Sequence, residues 1–154
     1  MNTATDEAFW ATSPQPDEPV VSSSLEDVRV LVVDDDDDSR DLVGAILAHQ
    51  GILTRSVRSA RAALQALETF RPQVLVSDIA MPEEDGYSLI RRVRALSAEE
   101  GGAIPAIALS AFQTDGDRKK ALDAGFTLHL AKPVYPAVLL QAVISVAGLT
   151  YELK

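Results

Sequence analysis

The sequence contains no cysteine. Disulfides, thiol nucleophiles, cysteine zinc sites and iron–sulfur clusters are therefore excluded. Long apolar runs are also missing. The longest, Val138 to Leu149, is interrupted by Gln141 and Ser145 and is too short to span a bilayer. Lysine and arginine are absent from residues 1–27, which carry Asp6, Glu7, Asp17, Glu18, Glu26 and Asp27. That start lacks the positive region and apolar stretch of a signal peptide. These six acids leave only −3 of the net charge of −9 to the rest of the chain. No basic stripe suited to nucleic acid emerges, and the simplest setting is soluble, reducing and cytoplasmic.

What remains suits one ordinary domain. The chain has 154 residues, 47% of them apolar and 24% charged, enough to bury one core and too few for two full domains. Residues 1–27 read as a disordered acidic tail, rich in Ser, Thr and Pro and without apolar periodicity. Phe9 and Trp10 stand out in it. They read first as an incidental aromatic pair in a linker, with a short docking motif as the alternative. Residues 28–148 read as the folded domain and 149–154 as a carboxyl-terminal tail.

Within 28–148, short β-branched runs alternate with helical patterns five times. The predicted strands are 28–33, 52–57, 73–77, 106–110 and 126–130. Each is short and largely apolar, as expected of a strand covered on both faces. The predicted helices are 39–50, 59–70, 87–96, 114–124 and 136–146. Leu42, Val43, Ile46 and Leu47 define the inner face of the first. Ala63, Leu64 and Leu67 mark the second, with Ser59 as its cap. Val138, Leu139, Ala142, Val143 and Val146 define the inner face of the last. Gly51 and Gly125 stop two of them. Five βα units with short connections imply a parallel sheet with helices on both faces. In such sheets ligands bind beyond the carboxyl ends of the strands.

Those ends carry chemistry. The run Asp34-Asp35-Asp36-Asp37-Asp38 follows the first strand, Asp78 the third, and Lys132-Pro133 the fifth, while Ser110 closes the fourth. Converging carboxylates raise one another's pKa unless a cation neutralises them. Oxygen donors without Cys or His select a hard divalent ion such as Mg²⁺. A lysine and a hydroxyl beside them suit a phosphate. The set fits phosphoryl transfer onto a carboxylate.

These residues resemble the receiver domain of two-component response regulators, especially those at the carboxyl ends of hybrid histidine kinases. The matching stretches are Leu31-Val32-Val33-Asp34-Asp35 with Arg40, Val74 through Pro82 with Asp85-Gly86, Leu109-Ser110-Ala111, Asp123-Ala124-Gly125-Phe126 and Ala131-Lys132-Pro133. The resemblance covers about residues 28–147. It implies a flavodoxin-like α/β fold of strand order 2-1-3-4-5. It implies Asp78 as phospho-acceptor, Asp35 as direct Mg²⁺ ligand, Asp34 as a second acid acting through water, and the Ala80 carbonyl as a further ligand. Ser110 and Lys132 would meet the phosphate, with a cis bond at Lys132–Pro133. Met81-Pro82 and Gly86 would shape the loop after the acceptor. The implied partners are a histidine kinase or phosphotransfer domain and an unknown downstream protein, with a phosphorylation-linked dimer open. The implied enzymology is limited to the domain's own phosphorylation and dephosphorylation.

Three positions stand out against the family. His129 stands where the family usually has a switching aromatic. Ala80 and Phe112 stand where side chains tune attack of water on the phosphate, and neither can hydrogen-bond a water. Arg118, Lys119 and Lys120 are candidates for a partner contact on the output face. The remaining features have plain readings. Asp36, Asp37 and Asp38 read as solvated or helix-starting, Glu83 and Glu84 as solvated, His49 as a surface group at a helix end, and Arg91, Arg92 and Arg94 as a polar helix face. Two rivals remain. Asp35, Asp37 and Ser39 match the D-x-D-x-[ST] motif of haloacid-dehalogenase-type phosphatases, and a receiver-like module could bind partners without phosphate. No output domain is read after the fifth helix, so both a single-domain regulator and a piece of a larger protein stay open.

Overall fold

A computed structural model of the chain describes residues 27–111 and 114–148. The strands are β1 (Arg29–Val33), β2 (Leu53–Val57), β3 (Val74–Asp78), β4 (Ala106–Ser110) and β5 (Leu128–Ala131). The helices are α1 (Asp37–His49), α2 (Ala60–Phe70), α3 (Gly86–Arg94), α4 (Asp115–Ala124) and α5 (Pro136–Val146), with a 3₁₀ turn at Ala98–Glu100. The strands pair in parallel in the order β2-β1-β3-β4-β5. The chain thus reverses direction of travel across the sheet at β1 and β3.

Alternation along each strand divides the core into two layers. Val30, Val32, Val74, Val76, Ile107 and Leu109 join a cluster with α1 and α5. Leu31, Val33, Leu75, Ala106 and Ala108 face α2, α3 and α4. Every residue of β3 and β4 is buried, which is why Val74–Val76 and Ala106–Leu109 read as unbroken apolar runs. Each fully buried Val, Leu or Ile contributes about 1.5–3 kcal/mol, so the central strands anchor the loops above them.

The structure corrects several boundaries. Helix α1 begins at Asp37, not Ser39, because the Asp36 carboxylate accepts the Ser39 N–H at 2.8 Å and caps the helix. Strand β5 begins at Leu128, not Phe126. The Ala106 N–H is taken by the Thr127 hydroxyl at 3.0 Å, so the regular ladder starts one residue later. Helix α3 stops at Arg94, and Ser97 with Glu100 then forms a capping box that opens the unforeseen 3₁₀ turn. Asp78 is the last residue of β3 rather than the first of the loop. Leu42 and Val138, expected in the core, are 51% and 49% exposed. Each lies at the margin of its helix's apolar stripe, beyond the sheet's reach.

Arg94 departs from the polar-face reading. It is half-buried and donates to the carbonyls of Gly125 (3.0 Å), Gly102 (2.9 Å) and Ile104 (2.7 Å). It ties the end of α3 to the turn after α4, and burial holds its pKa below the ordinary guanidinium value.

Candidate functional site

Ladder register sets the site. Val33 pairs with Ser77, which brings Asp34, one residue on, level with Asp78. Asp78 pairs with Leu109, so Ser110 lies one step beyond it. Ser110 pairs with Ala131, and Lys132 follows, its N–H donating to the Ser110 carbonyl at 2.9 Å. Four predicted site residues are thereby collected at one edge of the sheet by backbone pairing.

The side chains converge. Carboxylate oxygens of Asp34, Asp35 and Asp78 all lie within 4.8 Å of one another. Asp34 and Asp78 are buried, with 1% and 5% exposure. The Lys132 ammonium sits between them, 3.1 Å from Asp34 Oδ2 and 3.2 Å from Asp78 Oδ1. Burial pushes the Asp78 carboxyl above its ordinary pKa, and the charges of Asp34 and then Asp35 add to the rise. Lys132 opposes it without cancelling it. For Lys132 burial acts against the charged form, but Asp78 and Asp34 together outweigh it and hold the ammonium above its ordinary value. One cation against three carboxylates leaves a net negative pocket. Its donors are all oxygen, and a hard divalent ion such as Mg²⁺ fits it.

Asp34 is fixed on every side. Its Oδ1 accepts the Asp36 N–H at 3.0 Å and its carbonyl accepts from Arg40 at 2.8 Å. Arg40 also pairs with the Asp37 carboxylate. That pairing matters for the phosphatase motif. Asp37 lies exposed in the first turn of α1, bonded to Arg40 and 3.4 Å from Arg58, outside the carboxylate cluster. The late acids Asp115, Asp117 and Asp123 lie on α4. The motif's two acids are thus not brought together, while Asp34, Asp35 and Asp78 are.

The loop after Asp78 is held from both ends. The Ile79 carbonyl accepts from Met81 N at 3.1 Å and Gly86 N at 2.8 Å. Met81 is buried and Ala80 exposed. Glu84, expected to be solvated, instead accepts from Ser88 (2.8 Å) and Arg92 (2.6 Å). This anchor was missed because nothing in the local pattern separates it from an exposed acid. Glu83 is exposed and His49 lies exposed at the end of α1, as expected.

The Lys132–Pro133 bond is cis. His129 sits half-buried on β5, opposite Ala108 and facing α4. Its Nε2 is buried with no hydrogen-bond partner among the described residues. Burial holds its pKa below the ordinary imidazole value. Arg118, Lys119 and Lys120 are exposed on α4. Lys119 meets Asp123 at 2.8 Å and Lys120 lies 4.5 Å over the Tyr87 ring. Phe112, paired with Ala80 in the sequence reading, and the segments 1–26 and 149–154 fall outside the described residues.

A five-stranded sheet of this order, with an acidic cluster and a lysine at its carboxyl edge, defines a doubly wound α/β signalling domain. The family of response regulator receiver domains matches residues 30–144, and the chain belongs to it. It is 46% identical over 120 residues to an uncharacterized 14.6 kDa protein of Leptolyngbya boryana, encoded in the sodA1 3′ region, covering 78% of this chain and 90% of that one. It is 35% identical over 111 residues to the transcriptional regulatory protein GltR of Pseudomonas aeruginosa, covering 72% of this chain and 45% of GltR. It is 33% identical over 113 residues to hybrid signal transduction histidine kinase D of Dictyostelium discoideum, covering 70% of this chain but 7% of the kinase. Among solved structures, the receiver domain of a Pseudomonas aeruginosa PAO1 sensor histidine kinase is 32% identical with a TM-score of 0.71, over 79% of this chain and 98% of that one. That structure has a magnesium ion coordinated in its active-site cleft. The Francisella response regulator 1452 receiver domain is 28% identical with a TM-score of 0.71, over 79% and 97%. Among the described residues no helix is long and apolar enough to cross a membrane.

Proposed function

We propose that this domain is a phosphorylation-controlled switch whose acceptor is Asp78. The observation that carries the reading is the placement of Asp78 within 4.8 Å of the Asp34 and Asp35 carboxylates, with the Lys132 ammonium 3.2 Å away. The donor is a phospho-histidine on a kinase or phosphotransfer domain. An Asp78 carboxylate oxygen attacks phosphorus, an O–P bond forms, the N–P bond breaks, and the imidazole leaves and takes up a proton. Asp34, Asp35, Asp78 and the Ala80 carbonyl would hold Mg²⁺, which supplies positive charge against the phosphoryl oxygens when bound.

The chain's own residues do the rest. Lys132 exchanges its carboxylate partners for a phosphoryl oxygen. Asp34, pinned by Asp36 and Arg40, keeps its place. Ser110, buried beside the acceptor strand, turns its hydroxyl to the phosphate. The new charge draws Ser110 and Lys132 inward. The surface of α4, β5 and α5, including His129, Arg118, Lys119 and Lys120, then changes for a downstream partner. Residues 28–148 form the switching unit, flanked by 1–27 and 149–154, and it acts in the cytoplasm.

The test is intact mass after incubation with acetyl phosphate, with and without Mg²⁺, on the wild type and Asp78→Ala. We expect a Mg²⁺-dependent phosphoryl adduct that hydroxylamine removes and Asp78→Ala abolishes. A folded protein that takes no phosphoryl group, beside a control receiver that does, overturns the reading in favour of a phosphate-independent binding module.

A further inference from the structure

Of five clefts on the described residues, one differs from the other four in charge. Between α3 and α4 lies a groove of about 300 Å³ lined by Arg91, Gly116, Lys119, Lys120, Asp123 and Ala124. Three cations face a single acid. The other clefts are not like this. The one at the amino edge of the sheet balances Arg29 and Arg71 against Glu99 and Glu100. The one beside the acceptor loop balances Arg61 and Arg92 against Glu83 and Glu84. The notch beside α1 sets Asp36 and Asp38 against Lys132, and the one along α5 has no charged lining. A domain that is acidic on balance thus concentrates positive charge in one groove.

The groove cations are available. Lys119 is paired with Asp123 across an exposed helix surface, its side chain 75% exposed. Such an exposed pair contributes little and exchanges partners readily. Arg91 is exposed. Lys120 already lies over the ring of Tyr87, so this position accepts an aromatic face. Gly116 and Ala124 leave room for a large side chain between the helices.

The same chain carries a segment of matching chemistry. Residues 1–26 hold Asp6, Glu7, Asp17, Glu18 and Glu26, no Lys or Arg, and the adjacent aromatics Phe9 and Trp10. The 16 residues between Trp10 and Asp27 reach up to roughly 55 Å when extended. A domain of this size is roughly 35 Å across, so the groove is within range. Tethering raises the effective concentration of such a segment to about the millimolar range, so even a weak contact is populated.

We propose that the groove between α3 and α4 is a docking site for the acidic segment around Trp10 of the same chain. The carboxylates of Asp6, Glu7, Asp17 and Glu18 meet Arg91, Lys119 and Lys120, and the indole lies against the cations. The proposal does not depend on the phosphoryl chemistry of Asp78. Its consequence is that an external acidic partner at this face competes with the chain's own amino-terminal segment.

Trp10 is the single tryptophan, so its fluorescence reads the segment directly in the full chain. At low salt, about 0.01 M, we expect a blue-shifted emission and weak acrylamide quenching; both revert to the values of an exposed indole at about 1 M, where charge interactions are screened. Lys119→Glu with Lys120→Glu is expected to give the exposed values at every salt concentration. So is Asp6→Lys with Glu7→Lys, which leaves the folded domain untouched. Combining the two pairs restores opposite charges and the protected signal. An exposed indole at low salt overturns the proposal. So does protection that ignores salt and both charge reversals. Protection that grows with protein concentration overturns it too, in favour of a second copy as occupant.

Discussion

A Cβ at Gly86 would lie 2.5 Å from the carbonyl oxygen of Asp78 and 2.8 Å from the Cα of Ile79. The first residue of α3 is therefore packed directly on the backbone of the proposed acceptor. Gly86→Ala brings a helix-propensity gain of at most about 1 kcal/mol. The overlap is with backbone, which cannot swing away, and overpacking of this kind costs about 1–3 kcal/mol. The expected outcome is a Tm lowered by several degrees in a thermal melt, together with slower phosphorylation by acetyl phosphate.

The carboxylate cluster sets three acids against the single Lys132 cation. At neutral pH, Mg²⁺ at about 100 times its Kd is expected to add about 2.7 kcal/mol, a Tm rise on the order of 10 °C. Asp78→Asn removes one charge from a buried cluster. It is expected to melt higher than the wild type in EDTA and to respond less to Mg²⁺. The pH dependence follows from the raised pKa of Asp78. Below the ordinary carboxylate range, folded and unfolded chains are both protonated there. As pH rises, the unfolded chain ionises first, and the metal-free domain loses stability until Asp78 ionises too. Melts in EDTA from acid to neutral pH should show this loss in the wild type and less of it in Asp78→Asn.

His129 predicts the opposite slope. Its pKa is held below the ordinary imidazole value by burial, partly offset by Asp117 and reinforced by Arg118. As pH falls through the ordinary value of about 6.5, the unfolded chain binds a proton that the folded chain resists. Stability from this residue is therefore full above that value and declines below it. His129→Phe fills similar space without an unpaired buried nitrogen. Removing such a group recovers about 1 kcal/mol or more. Chemical denaturation across pH 5–8 (about the imidazole range) should find the variant more stable and its profile flatter.

Ala80, two residues after Asp78, is exposed and offers no side-chain hydrogen bond. An aspartyl-phosphate formed here has no help from position 80 in orienting water. Ala80→Gln supplies an amide that can hold an attacking water. Phosphate release after removal of acetyl phosphate is expected to quicken several-fold in that variant. An unchanged rate would place control of the lifetime elsewhere.

The fold was legible because its signals are local and repeated. Val30 to Val33 and Val74 to Val76 are apolar throughout, and only a strand covered on both faces is written that way. The placement of the candidate site was legible for a related reason: in a parallel sheet every strand's carboxyl end falls on one edge, and the strand order β2-β1-β3-β4-β5 then sets the ends carrying Asp34, Asp78, Ser110 and Lys132 side by side. What stayed hidden depended on partners distant in sequence. Arg94 looks like its neighbours Arg91 and Arg92 until the Gly125 and Ile104 carbonyls are placed against it. Glu84 differs from Glu83 only through Ser88 and Arg92. Leu42 and Val138 have the right spacing for a buried stripe, but the stripe's width is set by the neighbouring element, not by the helix.

The cluster of Asp34, Asp35 and Asp78 also bears on how such a domain evolves. Burial raises the Asp78 pKa, so its charged form costs the metal-free fold stability, and a substitution there would be rewarded by selection acting on foldedness alone. A lineage released from its signalling task should lose this carboxylate early, while the apolar strands beneath it persist. On the proposed function, Asp78 is held in place for its chemistry and at a cost to the stability of the fold around it.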